Sequence, residues 1–170
     1  LHFFRTLNIE NISEGTLQKI YNHKFDTIEK ILLITVEELL KIEGIKIKLA
    51  TKLHTNIHKI IDTPIELDKL MCASLSFGFG FGIKKFRAIL NKYPNILDQS
   101  GVTYEMIECV DGFSSKTSKK FVDNLQNFKH FLQELNFLNV KPYKKNIQTN
   151  GELFENHKIV MTGFRCPEII

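Results

Sequence analysis

Four short bends, recurring about every 34 residues, constrain this chain more than any other feature of it. The most conspicuous lies in the run FGFGFG, from Phe77 to Gly82. Sliding GFGIKKF (Gly80–Phe86) along the chain aligns it with GIKIKLA (Gly44–Ala50), GFSSKTS (Gly112–Ser118) and, more loosely, NISEGTL (Asn11–Leu17). In chain order the first positions lie 33, 36 and 32 residues apart. The second position is always apolar (Ile12, Ile45, Phe81, Phe113). The seventh is apolar or small (Leu17, Ala50, Phe86, Ser118), and the tenth apolar again (Ile20, Leu53, Ile89, Phe121). That spacing suits one side of a helix that begins just after each bend. The approach recurs at twice the period: TVEELLKIEG (Thr35–Gly44) matches TYEMIECVDG (Thr103–Gly112) at a shift of 68. The simplest reading is a helix–bend–helix unit doubled into a pair, and the pair doubled again.

The residue types explain how such a bend works. Glycine at the first position (Gly44, Gly80, Gly112) tolerates positive φ, and Asn11 does so nearly as well. The apolar residue that follows points inward and pins the two helices. The third position opens the second helix, where Ser13, Gly82 and Ser114 are good N-caps and Lys46 is a poor one. Amides at such a helix start lack intrahelical acceptors, and with the helix dipole they form an anion site. A phosphodiester is the obvious anion for a site repeated with so little sequence-reading chemistry. Two other readings of FGFGFG fail. It is not G-x-G-x-x-G after a strand, nor G-x-x-x-x-G-K-[ST], and six residues in one copy are too short to be low complexity.

The charges fall in register with the bends. Lys46, Lys48, Lys52 and Lys59 follow the second with no acid among them. Lys84, Lys85, Arg87 and Lys92 follow the third, and Lys116, Lys119 and Lys120 the fourth. Acids gather before the bends instead: Glu29, Glu37 and Glu38, then Glu105 and Glu108. One basic run would read as a solvated helix face; three in register favour nucleic-acid contact. The first unit lacks this bias. The predicted contact residues are Gly80, Gly82, Lys84 and Lys85; Gly112, Ser114, Ser115 and Lys116; then Gly44, Lys46 and Lys48, with Asn11 and Ser13 in the weakest unit. Phe77 and Phe81 are read as core. Phe79 has two readings, buried or an exposed platform for unpaired bases, and the buried one is favoured.

Composition bounds the class. The 170 residues suit one domain and a remnant of another, and 43% hydrophobic content without a long apolar run fits a soluble globular chain with no membrane span. The net charge of +4 permits an anionic partner without requiring one. Cys72, Cys109 and Cys166 are scattered, which fits reduced intracellular thiols better than a disulfide frame or zinc site. Leu1 stands where a Met would, so a piece of a longer polypeptide is expected.

The pattern apolar-x-Gly-apolar-Gly, followed by a helix with lysine and a small residue, resembles the helix-hairpin-helix motif. Four of them in two pairs resemble the corresponding domain of NAD-dependent DNA ligases, over about residues 1–138. LHFFRTLNIENISEGTLQKIY looks like the segment after that family's zinc module, and FENHKIVMTGFRCPEII (Phe154–Ile170) resembles the opening of a BRCT domain. The expected architecture is therefore all-α: four hairpins in pairs at about 1–62 and 65–138, a linker at 139–152, and a truncated α/β BRCT start at 153–170. The resemblance implies an intracellular, monomeric clamp on duplex DNA, nicked by preference, gripping the minor-groove backbone without reading sequence during replication and repair. It implies NAD and magnesium for the full-length enzyme, and zinc in a module upstream of Leu1, with no cofactor in this chain. The chemistry itself is missing here. Adenylation needs a lysine in K-x-D-G, whereas CVDG (Cys109–Gly112) lacks the lysine and KIEG (Lys41–Gly44) the aspartate. Two alternatives differ in class: a hairpin module of another repair protein, and a BRCT-linked protein-interaction scaffold.

Three weaker signals have plain readings. His54 and His58, four apart on one helix, read as exposed histidines rather than metal ligands. Thr162-Gly163 reads as a strand-end turn rather than a phosphate pocket. IELDKLMCASLSF (Ile65–Phe77) reads as the helix joining the two pairs.

Overall fold

At each bend a short helix gives way to a longer one. A computed structural model describes residues 1–144. Along them run α1 (His2–Thr6), α2 (Glu14–Asn22), α3 (Ile28–Leu32), α4 (Val36–Leu40), α5 (Ile47–Asp62), β1 (Ile65–Glu66), α6 (Leu67–Ser74), α7 (Ile83–Lys92), α8 (Tyr104–Glu108), α9 (Ser115–Glu134) and β2 (Val140–Lys141). The bends join α1 to α2, α4 to α5, α6 to α7 and α8 to α9. The first bend residues take positive φ: Asn11 at 65°, Gly44 at 81°, Gly80 at 97° and Gly112 at 81°. Ser13, Lys46, Gly82 and Ser114 are the N-caps of the helices that follow. The hydroxyl of Ser13 accepts the Thr16 amide at 3.1 Å, whereas the Lys46 side chain makes no capping hydrogen bond. Thr35 and Thr103, equivalent at the longer period, cap α4 and α8. Thr35 adds a reciprocal bond with Glu38, whose place Met106 takes in the second copy.

Periodicity then decides the core. At the second position Ile12, Ile45 and Phe81 are buried and Phe113 half-buried; the seventh and tenth positions are buried in all four units. The first pair packs mainly aliphatic side chains, among them Ile20, Leu39, Leu53 and Ile57. The second is aromatic. Phe77 lies parallel to Phe121 with ring centroids 4.8 Å apart, and Phe81, Phe86 and Phe128 close around it at 5.1–5.9 Å. Each such ring removed from water contributes about 1.5–3 kcal/mol. Helix α1 packs on α6, tying the first pair to the second.

The fold is mostly helical, but the all-α expectation needs correction. Strands β1 and β2 pair in parallel, Ile65 with Val140 and Glu66 with Lys141. The joining helix is consequently shorter than expected. It spans Leu67–Ser74, is preceded by β1, and stops at Leu75, which sits in the left-handed region at φ 54°. Phe77 is core, as read, but lies beyond that helix. The head of the segment read as a linker is the strand β2, and beyond it Tyr143 donates its hydroxyl to Asn91 at 2.8 Å. At the start of α6 the buried Asp68 accepts from the Lys69 amide and from Arg87 Nε at 2.6 Å. The BRCT-like stretch, with Thr162-Gly163 and Cys166, lies outside the described residues.

Candidate nucleic-acid interface

The helix starts leave amides without acceptors among the described residues. At the third bend Gly82 O accepts from Lys85 and Phe86, while the amides of Gly82 and Lys84 have no acceptor. The amides of Lys46, Ile47 and Lys48 at the second bend, and of Ser115 and Lys116 at the fourth, are free in the same way. Lys46, Lys48, Lys84 and Lys116 are exposed beside them. Lys85 is half-buried, its ammonium 5.4 Å from the centre of the Phe81 ring and 5.7 Å from that of Phe113, so one cation sits between the third and fourth bends. Asn11 and Ser13 are exposed at a bend with no lysine immediately after it.

Gly82 is the most informative residue of the set. Its φ of −97° suits any amino acid, and a Cβ there would meet nothing within 4 Å. Neither backbone geometry nor internal packing calls for glycine, and a serine would cap α7 better. An open, side-chain-free surface at a helix start is what close approach of an outside anion needs. Ser115 is less available, because its hydroxyl donates to Glu108 Oε1.

Not every charge in the basic runs faces outward. Arg87 is committed to Asp68, and that carboxylate holds the guanidinium pKa above its ordinary value. Lys92 donates to Cys109 O, and Lys120 to Phe79 O at 2.8 Å. In the first pair Lys19 donates to Glu43 O at 3.3 Å, and Asn56 to Glu10 O at 3.0 Å. The four contacts follow one rule: the second helix of each unit reaches across to a main-chain carbonyl at, or just before, the bend of its partner unit. Sequence reasoning missed these tethers, although Lys92 and Lys120 stood in its basic runs. No local pattern marks a contact made across 17 to 46 residues.

Phe79 overturns its expectation. It is 85% exposed, because Gly78 and Gly80 flank it at φ 71° and 97° and break the alternation that would have turned it inward. Gly78 lets the Lys120 tether pass, since a Cβ there would lie 3.1 Å from the lysine's Cε and Nζ. His54 and His58 are not simply exposed either. Both are half-buried, with rings stacked 4.0 Å apart. Burial, and then His58, hold the His54 pKa below its ordinary value, against Glu37. Burial pushes the Cys72 thiol pKa above its ordinary value. Among the described residues no three His, Cys, Asp or Glu side chains gather to hold a metal ion, and no helix is long and apolar enough to cross a membrane.

The fold and these bends define a class: paired helix–bend–helix units that present anion-ready helix starts. Comparison with known proteins narrows it. The chain is 37% identical over 169 residues to a DNA ligase of Acanthamoeba polyphaga mimivirus, covering 96% of this chain and 26% of the relative. It is 29% identical over 174 residues to a DNA ligase of Vesicomyosocius okutanii, covering 98% and 27%, and 27% identical over 176 residues to one of Staphylococcus saprophyticus, covering 96% and 25%. Proteins named DNA ligase thus match nearly all of this chain, and the chain spans about a quarter of their length. No family model matches the chain, and no solved structure matches it.

Proposed function

We propose that this chain is the DNA-clamping part of an NAD-dependent DNA ligase, built from four helix-hairpin-helix units that hold the minor-groove backbone of duplex DNA without reading its sequence. The observation that carries the reading is the recurrence of one device. At the second, third and fourth bends, free helix-start amides stand beside exposed lysines. A single such helix start would be ordinary; three in one repeat match a polymer that presents phosphates at regular intervals. The similarity to proteins named DNA ligase supplies the enzyme class. Gly80, Gly82, Lys84 and Lys85 with Gly112, Ser114, Ser115 and Lys116 make the main contacts, and Gly44, Lys46 and Lys48 add to them. Asn11 and Ser13 close the first unit and hold the least charge.

Adenylation and sealing belong to parts of such an enzyme other than these residues. CVDG and KIEG each lack one member of the motif and lie on approaches to bends. NAD and magnesium would serve those other parts of the enzyme. The clamp works inside the cell on nicked DNA, as a monomer, while the rest of the enzyme turns over. Amide NMR of the chain titrated with a short duplex tests the clamp directly. Residues 44–48, 80–84 and 112–116 should shift together, and equally for two unrelated sequences. A response confined to another surface would remove the hairpin reading.

A further inference from the structure

The third bend stands apart from the other three in the residue just before the first bend glycine or asparagine. It is Glu10, Glu43 and Asp111 at three of them, and Phe79 at the third. An acid there limits how closely a phosphate backbone can draw in. Phe79 carries no such charge, is 85% exposed, and stands on a turn with open space beside Gly80 and Gly82. Its ring is not left over from the core, which already holds Phe77 and Phe81 on either side. Its backbone is held as well: Lys120 Nζ grips its carbonyl, and the Gly78 amide donates to Leu75 O at 2.8 Å. A ring exposed on a braced tip is built to enter something.

We infer that Phe79 is an apolar wedge that enters the DNA minor groove at the third bend, pressing on deoxyribose and base edges at a step that is already weakened. This rests on the DNA-clamp reading above and gives it a substrate preference. Stacking is interrupted at a nick, so a wedge there displaces less stacking than in an intact duplex. Apolar side chains pushed into the minor groove unstack one step and bend the helix away, and an aromatic face accepts any base. The wedge therefore adds a nick preference without adding sequence preference. The acid-flanked bends grip phosphates only.

The test compares the full 170-residue chain with its Phe79→Ala and Phe79→Leu forms on intact and nicked duplexes of equal length, across a range of salt. Phe79→Ala should lose about tenfold on nicked duplex and clearly less on intact duplex, with an unchanged salt slope, because no phosphate contact is removed. Phe79→Leu should recover part of the loss. A 2-aminopurine beside the nick should brighten on binding the native chain and not the alanine form. Equal affinity of native and alanine forms overturns the wedge while leaving the clamp intact. A flattened salt slope in the alanine form also overturns it, by making Phe79 a support for the bend. Absence of DNA affinity in the native chain overturns both readings together.

Discussion

At the scale of single residues, the two bend glycines of the third unit have different reasons to be glycine. Gly80 adopts φ 97° with open space around it, so its constraint is conformational. Alanine at that position fits in volume but not in backbone, and Gly80→Ala should destabilise the chain by about 1–2 kcal/mol in urea or thermal unfolding. Gly82 is free of both constraints. Aspartate is among the best N-caps, so Gly82→Asp should leave stability unchanged or slightly raised. It should nevertheless weaken DNA binding severely, since its carboxylate would occupy the anion site. Early melting of the aspartate form would mean that the fold, not a ligand, requires Gly82. The φ requirement was legible in the sequence, because glycine or asparagine followed by an apolar residue and a cap is a local pattern. The exposure of Phe79 was not. Alternation of Phe and Gly suggests alternating faces, and only the positive φ on both sides cancels it.

Elements tell a similar story, with local features readable and distant pairings hidden. The helix starts fall where Ser13, Lys46, Gly82 and Ser114 put them, and the buried faces follow the seventh and tenth positions. The strands were invisible, since two residues carry no periodicity and Ile65 meets Val140 far along the chain. Helix α5 holds a further feature that spacing alone misjudged, the half-buried stack of His54 on His58. With the His54 pKa lowered in the fold from the ordinary 6.5, the unfolded chain takes up the proton first. Stability is thus full above that value, falls as pH drops through it, and levels once the folded form is also protonated. The urea midpoint should fall between about pH 7.5 and 5.5, and His54→Gln should flatten that fall. The carboxylates held low by hydrogen bonds, Asp26 by Lys30 and Glu38 by Thr35, start from 3.8 and 4.5 and act in a separate, more acid window. Parallel midpoint curves for the two proteins would show that proton uptake by His54 does not strain α5.

For the whole molecule, the tethers brace the bends against one another. Lys19 and Asn56 lock the first pair, Lys92 and Lys120 lock the second, and α1 on α6 holds the two together. Bends so held would meet the proposed duplex as one preorganised surface, with little ordering left to be done on binding. Of the basic-run cations that are neither tethered nor ion-paired, Lys46, Lys48, Lys84, Lys85 and Lys116 stand at the N-cap or in the first turn of the helices whose starting amides are free. If each neutralises one phosphate, the logarithm of affinity should fall against the logarithm of salt with a slope of about −4.5. Lys84→Glu combined with Lys116→Glu removes a contact at each of two bends, so the slope should flatten by about 2. Affinity should drop by a similar factor on every duplex sequence, and the unfolding midpoint should stay put because both side chains are exposed and unpaired among the described residues. Lys120→Met acts differently. It removes a tether, so it should loosen the third bend and weaken nicked-duplex binding more than the loss of one phosphate contact explains. A double charge reversal that spared the slope would place the phosphate contacts on some other face. A loss confined to particular sequences would replace backbone grip with base readout.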